Sequence, residues 1–182
     1  WPVAISSNTV VIGTYSSHDT PGTDVGAAYV YELNLPTPTP TPTPTLTEEL
    51  RWTQLFPANS PPNMNAYAMA YDSARNRVVL FGGYVQTSFP SPPFPPYPEY
   101  QVSNKTWEWD GTNWTEMSPS VSPPARIHFA MTYDSKRQRV VLFGGHYEPD
   151  GSFDDTWLWD GTTWTEVTPA TSPSARHAMK MT

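Results

Sequence analysis

Short apolar runs broken by turn residues dominate the chain, and no stretch of ten or more residues carries apolar positions at helical spacing. From residue 66 onward the pattern predicts strands in two matching sets. AYAMAYD (66–72) and HFAMTYD (128–134) open each set and run into an Asp-Ser turn. RVVLFGG (77–83 and 139–145) is a continuous apolar run, suited to burial on both faces of a sheet. TWEW (106–109) and TWLW (156–159) come third and end in Asp-Gly, which predicts a tight hairpin with φ > 0 in the turn. NWTEM (113–117) and TWTEV (163–167) return as the fourth strand.

The two sets are copies. RWTQLFPANSPPNMNAYAMAYD, from Arg51, matches NWTEMSPSVSPPARIHFAMTYD, from Asn113, at an offset of 62 residues, and the match continues through the RVVLFGG run. TWEWDGTNWTEM, from Thr106, matches TWLWDGTTWTEV, from Thr156, at an offset of 50. The difference of 12 lies between the diglycine and the Trp pair, where the first copy holds the Pro-rich SFPSPPFPPYPEY. A third copy opens at Trp164 and runs to Thr182. Self-similarity at such a period points to a stacked repeat architecture.

A four-stranded unit of about 50 residues with a diglycine and a Trp pair resembles the kelch repeat of β-propellers. The resemblance runs from about residue 50 to 182 and rests on Gly82, Gly83, Trp107 and Trp114, then on Gly144, Gly145, Trp157 and Trp164. The diglycines would let the backbone leave the second strand at unusual φ and let neighbouring blades approach. The Trp residues are expected to fill the space between blades. Propellers need about 4 to 8 blades to close, so these units predict either further blades or sheet edges that pair with another molecule.

Residues 3–33 are different. VVIGTY and AAYVYEL read as strands around a polar loop, and the segment resembles one FG-GAP unit of the integrin-type propeller. Family members bind calcium in that loop through several carboxylates, but here it keeps only Asp19 and Asp24, so a polar turn is expected ahead of a calcium site. PTPTPTPTPT (36–45) follows. Alternating Pro holds a backbone near polyproline II, and ten residues at ~3.1 Å each span about 31 Å. The organisation expected is therefore an FG-GAP-like unit over 1–35, a Pro-Thr linker over 36–49, and kelch-like blades over 50–182. The fold class expected is all-β: propeller blades of four antiparallel strands in an incomplete ring.

Composition narrows the chemistry. Zero Cys excludes disulfides, thiolate metal sites and thiol nucleophiles. It also excludes the Cys-Tyr cofactor of the galactose oxidase type of kelch propeller. A net charge of −7 argues against nucleic acid, and no apolar run approaches the ~20 residues of a membrane span. The chain opens at Trp1 without Met or a signal peptide, as expected of a processed form or a portion of something longer.

Candidate sites are few. Arg126, His128, Arg176 and His177 stand near the start of successive first strands, which in kelch propellers line the central channel; a hydrogen bond to the adjacent blade is the plainer expectation. No third partner completes a triad or a metal set. Asp150, Asp154 and Asp155 lack the ligand order of a cation loop, so no cofactor is expected. Asn104 and Asn113 head N-glycosylation sequons, and Thr37, Thr39, Thr41, Thr43 and Thr45 stand along the tract as in O-glycosylated stalks. Repeats without a catalytic constellation, joined to a stalk-like tract, predict an extracellular or surface-attached structural or adhesive protein. Its partners would be protein or glycan surfaces, or copies of itself. The alternatives are a carbohydrate-binding or carbohydrate-active propeller contacting ligand through Arg126, His128 and Trp residues, and an intracellular kelch adaptor.

Overall fold

In the computed structural model, residues 3–6, 9–13, 28–33, 52–88, 99–147 and 149–181 are described, with side chains from residue 53 onward. Strands β1 (Val3–Ser6), β2 (Thr9–Gly13), β3 (Ala28–Leu33) and β4 (Trp52–Gln54) form one antiparallel sheet in the order β1-β2-β3-β4. Next in the chain come β5 (Met64–Asn65), β6 (Ala68–Asp72), β7 (Arg77–Phe81), β8 (Tyr84–Ser88), β9 (Glu99–Val102), β10 (Thr106–Trp109) and β11 (Trp114–Met117). Of these, β6, β7, β10 and β11 build the second four-stranded sheet. The third sheet comprises β12 (Ala130–Asp134), β13 (Arg139–Phe143), β16 (Thr156–Trp159) and β17 (Trp164–Val167). Each of these three sheets is an antiparallel meander that stays open, so the described residues form a set of β-propeller blades with no closed ring among them. Among the described residues there is no helix, hence none long and apolar enough to cross a membrane.

Blade-to-blade packing follows from strand periodicity. Successive side chains point to opposite faces, so Ala68, Ala70, Val79 and Phe81 share one face of the second blade and Met69, Val78, Leu80 and Trp109 the other. The first face packs against Met131, Val140, Leu142, Trp157, Trp159 and Trp164 of the third blade in one core cluster. The second face gathers Met64, Tyr67 and Trp114, with Leu55 packed against it. In β7 the run after Arg77, VVLF, is apolar because blades cover both faces of this strand; Val79, Leu80 and Phe81 are fully buried. The first strands lie side by side, β1 against β6 and β6 against β12.

Three features depart from the pattern expected of the chain. The Pro-Thr tract does not separate two sheets. Strand β4, from its far side, pairs antiparallel with β3 from its near side, with Leu33 opposite Trp52 and Tyr31 opposite Gln54. The WTQ run is the fourth-strand equivalent of WTEM and WTEV, and a fourth strand closes the preceding blade rather than opening the next one. The tract itself lies outside the described residues. Second, the Asp-Gly hairpins are four-residue loops, since Trp109 pairs with Trp114 and Trp159 with Trp164. Asp110 Oδ1 accepts from the backbone N–H groups of Thr112 and Asn113, and only Gly111 has positive φ (103°). Third, the segment after each diglycine builds a secondary ladder. In the second blade β8 pairs with both β5 and β9; in the third, β14 (His146–Tyr147) pairs with β15 (Gly151–Ser152), and Ile127 bridges His146.

Candidate functional site

The residue opening each blade docks on the diglycine of the blade before. Gly83 N–H donates to Arg126 O and Gly145 N–H to Arg176 O, both at 2.9 Å. A Cβ on Gly83 would stand 2.6 Å from Asn65 O, closer than real Cβ contacts, so only glycine fits there. Two residues after each docked carbonyl, and at the equivalent position in the second blade, the chain turns through left-handed backbone: φ is 54° at His128, 56° at Ala178 and 54° at Ala66. These three positions are joined by a backbone ladder, His128 N–H to Ala66 O (3.3 Å) and Ala178 N–H to His128 O (2.7 Å). His128 is thus equivalent to Ala178, and His177 to Ile127.

The two histidines nevertheless share a neighbourhood. The His177 ring lies 5.3 Å from that of His146, and His177 Nδ1 is 2.9 Å from Ser152 Oγ. Local burial, then the proximity of His177 and His146, holds the His128 imidazole below its ordinary pKa. His146 was not singled out by the sequence because it falls after the diglycine, in a segment read as a connection. Among the described residues no group of three His, Asp or Glu side chains is arranged to hold a metal ion.

Arg126 is not available to a ligand. It is 0% exposed, and its guanidinium meets Asp155 in a bidentate pair, Nη1 to Oδ1 and Nη2 to Oδ2, both 2.6 Å. Nη1 also donates to Gly144 O, Nε donates to Pro124 O, and the guanidinium carbon stacks 4.2 Å from the Phe153 ring centroid. Trp157 Nε1 donates to Asp155 Oδ2 at 2.7 Å. Burial pushes the Asp155 carboxyl up, but these hydrogen bonds and the Arg126 charge outweigh it and leave the pKa below the usual carboxylate range. The ion pair leaves no local sequence signal, because 29 residues separate its partners and Asp155 stands in an acidic loop whose pattern is that of a candidate cation ligand. Arg176 is exposed and holds Nε on Ser174 O at 2.9 Å, the counterpart of Arg126 on Pro124.

Trp157, Trp159 and Trp164 serve the interface between the second and third blades. Trp164 Nε1 donates to Thr106 Oγ1 at 2.9 Å, and its ring sits 5.2 Å from Phe81. Trp159 Nε1 donates to Glu108 Oε1 at 2.7 Å, and Arg75 Nη1 donates to the same oxygen at 2.8 Å. Trp109 and Trp114 are buried with ring centroids 5.7 Å apart. Trp107 alone of the repeat-pair Trp residues is half-buried; it walls a cleft of about 300 Å³ in the second blade, beside Met64, Val85, Gln101, Lys105 and Glu116. Lys105 Nζ lies 2.7 Å from Glu116 Oε1 at its rim.

Of the modification candidates, Asn104 is exposed, while the half-buried Asn113 uses Oδ1 to accept from Ala58 and Asn59 N–H. Asp19, Asp24 and Thr37, Thr39, Thr41, Thr43 and Thr45 lie outside the described residues.

Comparison with known proteins agrees with the blade architecture. The FG-GAP repeat family matches residues 1–31, which covers most of the first blade before the tract. No curated protein matches the chain. Among solved structures, that of YjhT, a propeller-type fold, superposes with a TM-score of 0.57 over 92% of this chain at 13% identity. That likeness is one of fold, and the chain spans 44% of YjhT's length. The protein is therefore a β-propeller repeat protein with an FG-GAP-like first unit.

Proposed function

We propose that the chain works as a non-enzymatic, extracellular structural or adhesive propeller segment, kelch-like in its second and third blades, that assembles through open blade faces with copies of itself. One observation carries this reading. The face of the second blade built from Ala68, Ala70, Val79, Phe81, Thr106 and Glu108 is buried under the third blade, and all six residues are buried. The matching face of the third blade carries Ala130, Thr132, Val141, Phe143, Thr156 and Leu158, of which four are only half-buried. Leu158 replaces Glu108, so what covers this face meets an apolar side chain where the second blade offers a carboxylate. The FG-GAP match supports the extracellular assignment, since such repeats are typically found outside the cell.

In this reading the Pro-Thr tract is an insertion between the third and fourth strands of a blade, with its Thr hydroxyls and Asn104 and Asn113 as glycan acceptors. Hexose increments in the intact mass of native material test the decoration. Sedimentation over a range of concentrations tests assembly: oligomers are expected, and Leu158→Asp should disperse them. A cytosolic, undecorated chain that stays monomeric at every concentration would overturn the proposal. The rival carbohydrate-active reading loses Arg126 as a contact, because that side chain is enclosed.

A further inference from the structure

The second and third blades differ at one place where the difference creates a cavity. In the third blade the space beside Trp157 is filled by the Arg126 guanidinium, stacked on Phe153 and clamped by Asp155. The repeat register puts Met64 in the place of Arg126, Ser103 in that of Phe153, and Lys105 in that of Asp155, while Trp107 and Glu116 correspond to Trp157 and Glu166. A phenyl ring and a guanidinium are thus replaced by a hydroxymethyl group and a thioether. What remains is the cleft of about 300 Å³, near the lower end of the range of ligand pockets, which start at about 300 Å³. It has room for one ring.

Its lining selects a chemistry. The buried Met64 backs the cleft, the half-buried Val85 gives it an apolar wall, and Trp107 adds a half-exposed indole. In the third blade the corresponding indole N–H is taken by Asp155; Lys105 cannot accept it, because an ammonium has no lone pair. Lys105 and Glu116 neutralise one another, so the cleft has no net charge with which to hold a free ion. A purely apolar guest would desolvate that pair without replacing its hydrogen bonds, which is unfavourable. Gln101 and Asn104 add exposed amides at the rim.

We propose that this cleft is a binding site for a neutral saccharide ring. One C–H face of the sugar lies on the Trp107 indole and Val85. Its hydroxyls accept from Lys105 Nζ and Trp107 Nε1 and donate to the Glu116 carboxylate and the Gln101 carbonyl. Burial of a single ring with a few polar contacts corresponds to a dissociation constant of about 1 mM. The site does not depend on the extracellular or self-assembling reading, and it uses none of the residues invoked there beyond Asn104.

The test reads the indole N–H resonances of the eight Trp residues in the intact chain, with the Trp107 signal assigned by its loss in Trp107→Phe. The probes are methyl glucoside, methyl galactoside, methyl mannoside and N-acetylglucosamine at about 10 mM, enough to fill a millimolar site. At least one should shift the Trp107 signal saturably while the other indoles stay still, and Glu116→Gln should weaken that probe about tenfold. Met64→Arg with Ser103→Phe and Lys105→Asp rebuilds the third blade's plug and should abolish the shift. If that variant does not fold, Lys105→Ala with Glu116→Ala removes the rim pair at exposed positions and should do the same. Silence of Trp107 towards all four probes, or a shift that survives the rim-pair variant, would overturn the proposal.

Discussion

Trp159 of the third blade donates its indole N–H to Glu108 of the second at 2.7 Å, a buried hydrogen bond that ties one sheet to the next. The same carboxylate oxygen takes Arg75 Nη1 at 2.8 Å, so one acceptor serves a turn of its own blade and a strand of its neighbour. Glu108 retains only 6% exposure. Placing a carboxylate there costs desolvation, which is offset only while both donors remain.

Trp159→Phe keeps most of the ring volume and removes one donor, and should cost about 1–3 kcal/mol. Glu108→Leu, which copies the third blade's Leu158, leaves Trp159 Nε1 and Arg75 Nη1 without their acceptor and should cost more. Urea denaturation followed by near-ultraviolet dichroism checks both. Wild-type stability in both variants would show that the hydrogen bond is not what joins the blades.

Arg126→Ala leaves the largely buried Asp155 carboxylate without its cation, and a broken buried pair costs about 3–5 kcal/mol. Arg126→Met with Asp155→Lys reproduces the second blade's solution and should be less costly than Arg126→Ala alone. Because the folded Asp155 pKa is depressed, its contribution is present above the unfolded carboxyl value of about 3.9 and is lost as pH falls through the folded value. Wild-type stability should therefore drop below about pH 4, and the double variant should show a shallower drop. A double-mutant cycle repeated at two pH values measures both effects.

Two glycines with similar φ separate crowding from strain. Gly83 (φ 94°) would press a Cβ to 2.6 Å from Asn65 O, whereas Gly111 (φ 103°) has nothing within 4 Å. Gly111→Ala should cost about 1–2 kcal/mol from the left-handed backbone alone. Gly83→Ala adds a backbone clash at the blade junction and should lower the melting temperature several degrees further. Thermal melts of the two variants side by side decide it.

His128 has a folded pKa below its ordinary value, so its neutral form is favoured in the folded protein. Stability from this group is present above the unfolded value of about 6.5 and is lost as pH falls through the folded pKa. His128→Asn keeps a residue that tolerates left-handed φ and removes the titration. The variant should show a smaller fall in melting temperature between about pH 7 and pH 5. Parallel pH profiles of the two proteins would refute the assignment.

Local pattern and repetition determined a good deal of this protein on their own. AYAMAYD, RVVLFGG, TWEW and NWTEM, each met twice, mark the four strands of a blade to within two residues of β6, β7, β10 and β11 and their copies. That is legible because strand alternation, turn residues and buried runs are properties of contiguous residues. In the first unit only VVIGTY and AAYVYEL carry a strand pattern; β1 and β4 do not, being short and, for β4, placed across the tract. Tertiary structure alone decided what crosses long separations. It joined Leu33 to Trp52 and so moved the blade boundary, and it paired Arg126 with Asp155 and emptied the equivalent space beside Trp107. Nothing in a local window reports whether a charged side chain meets its partner 29 residues away or leaves room for a ligand, because those outcomes are set by how whole blades stack.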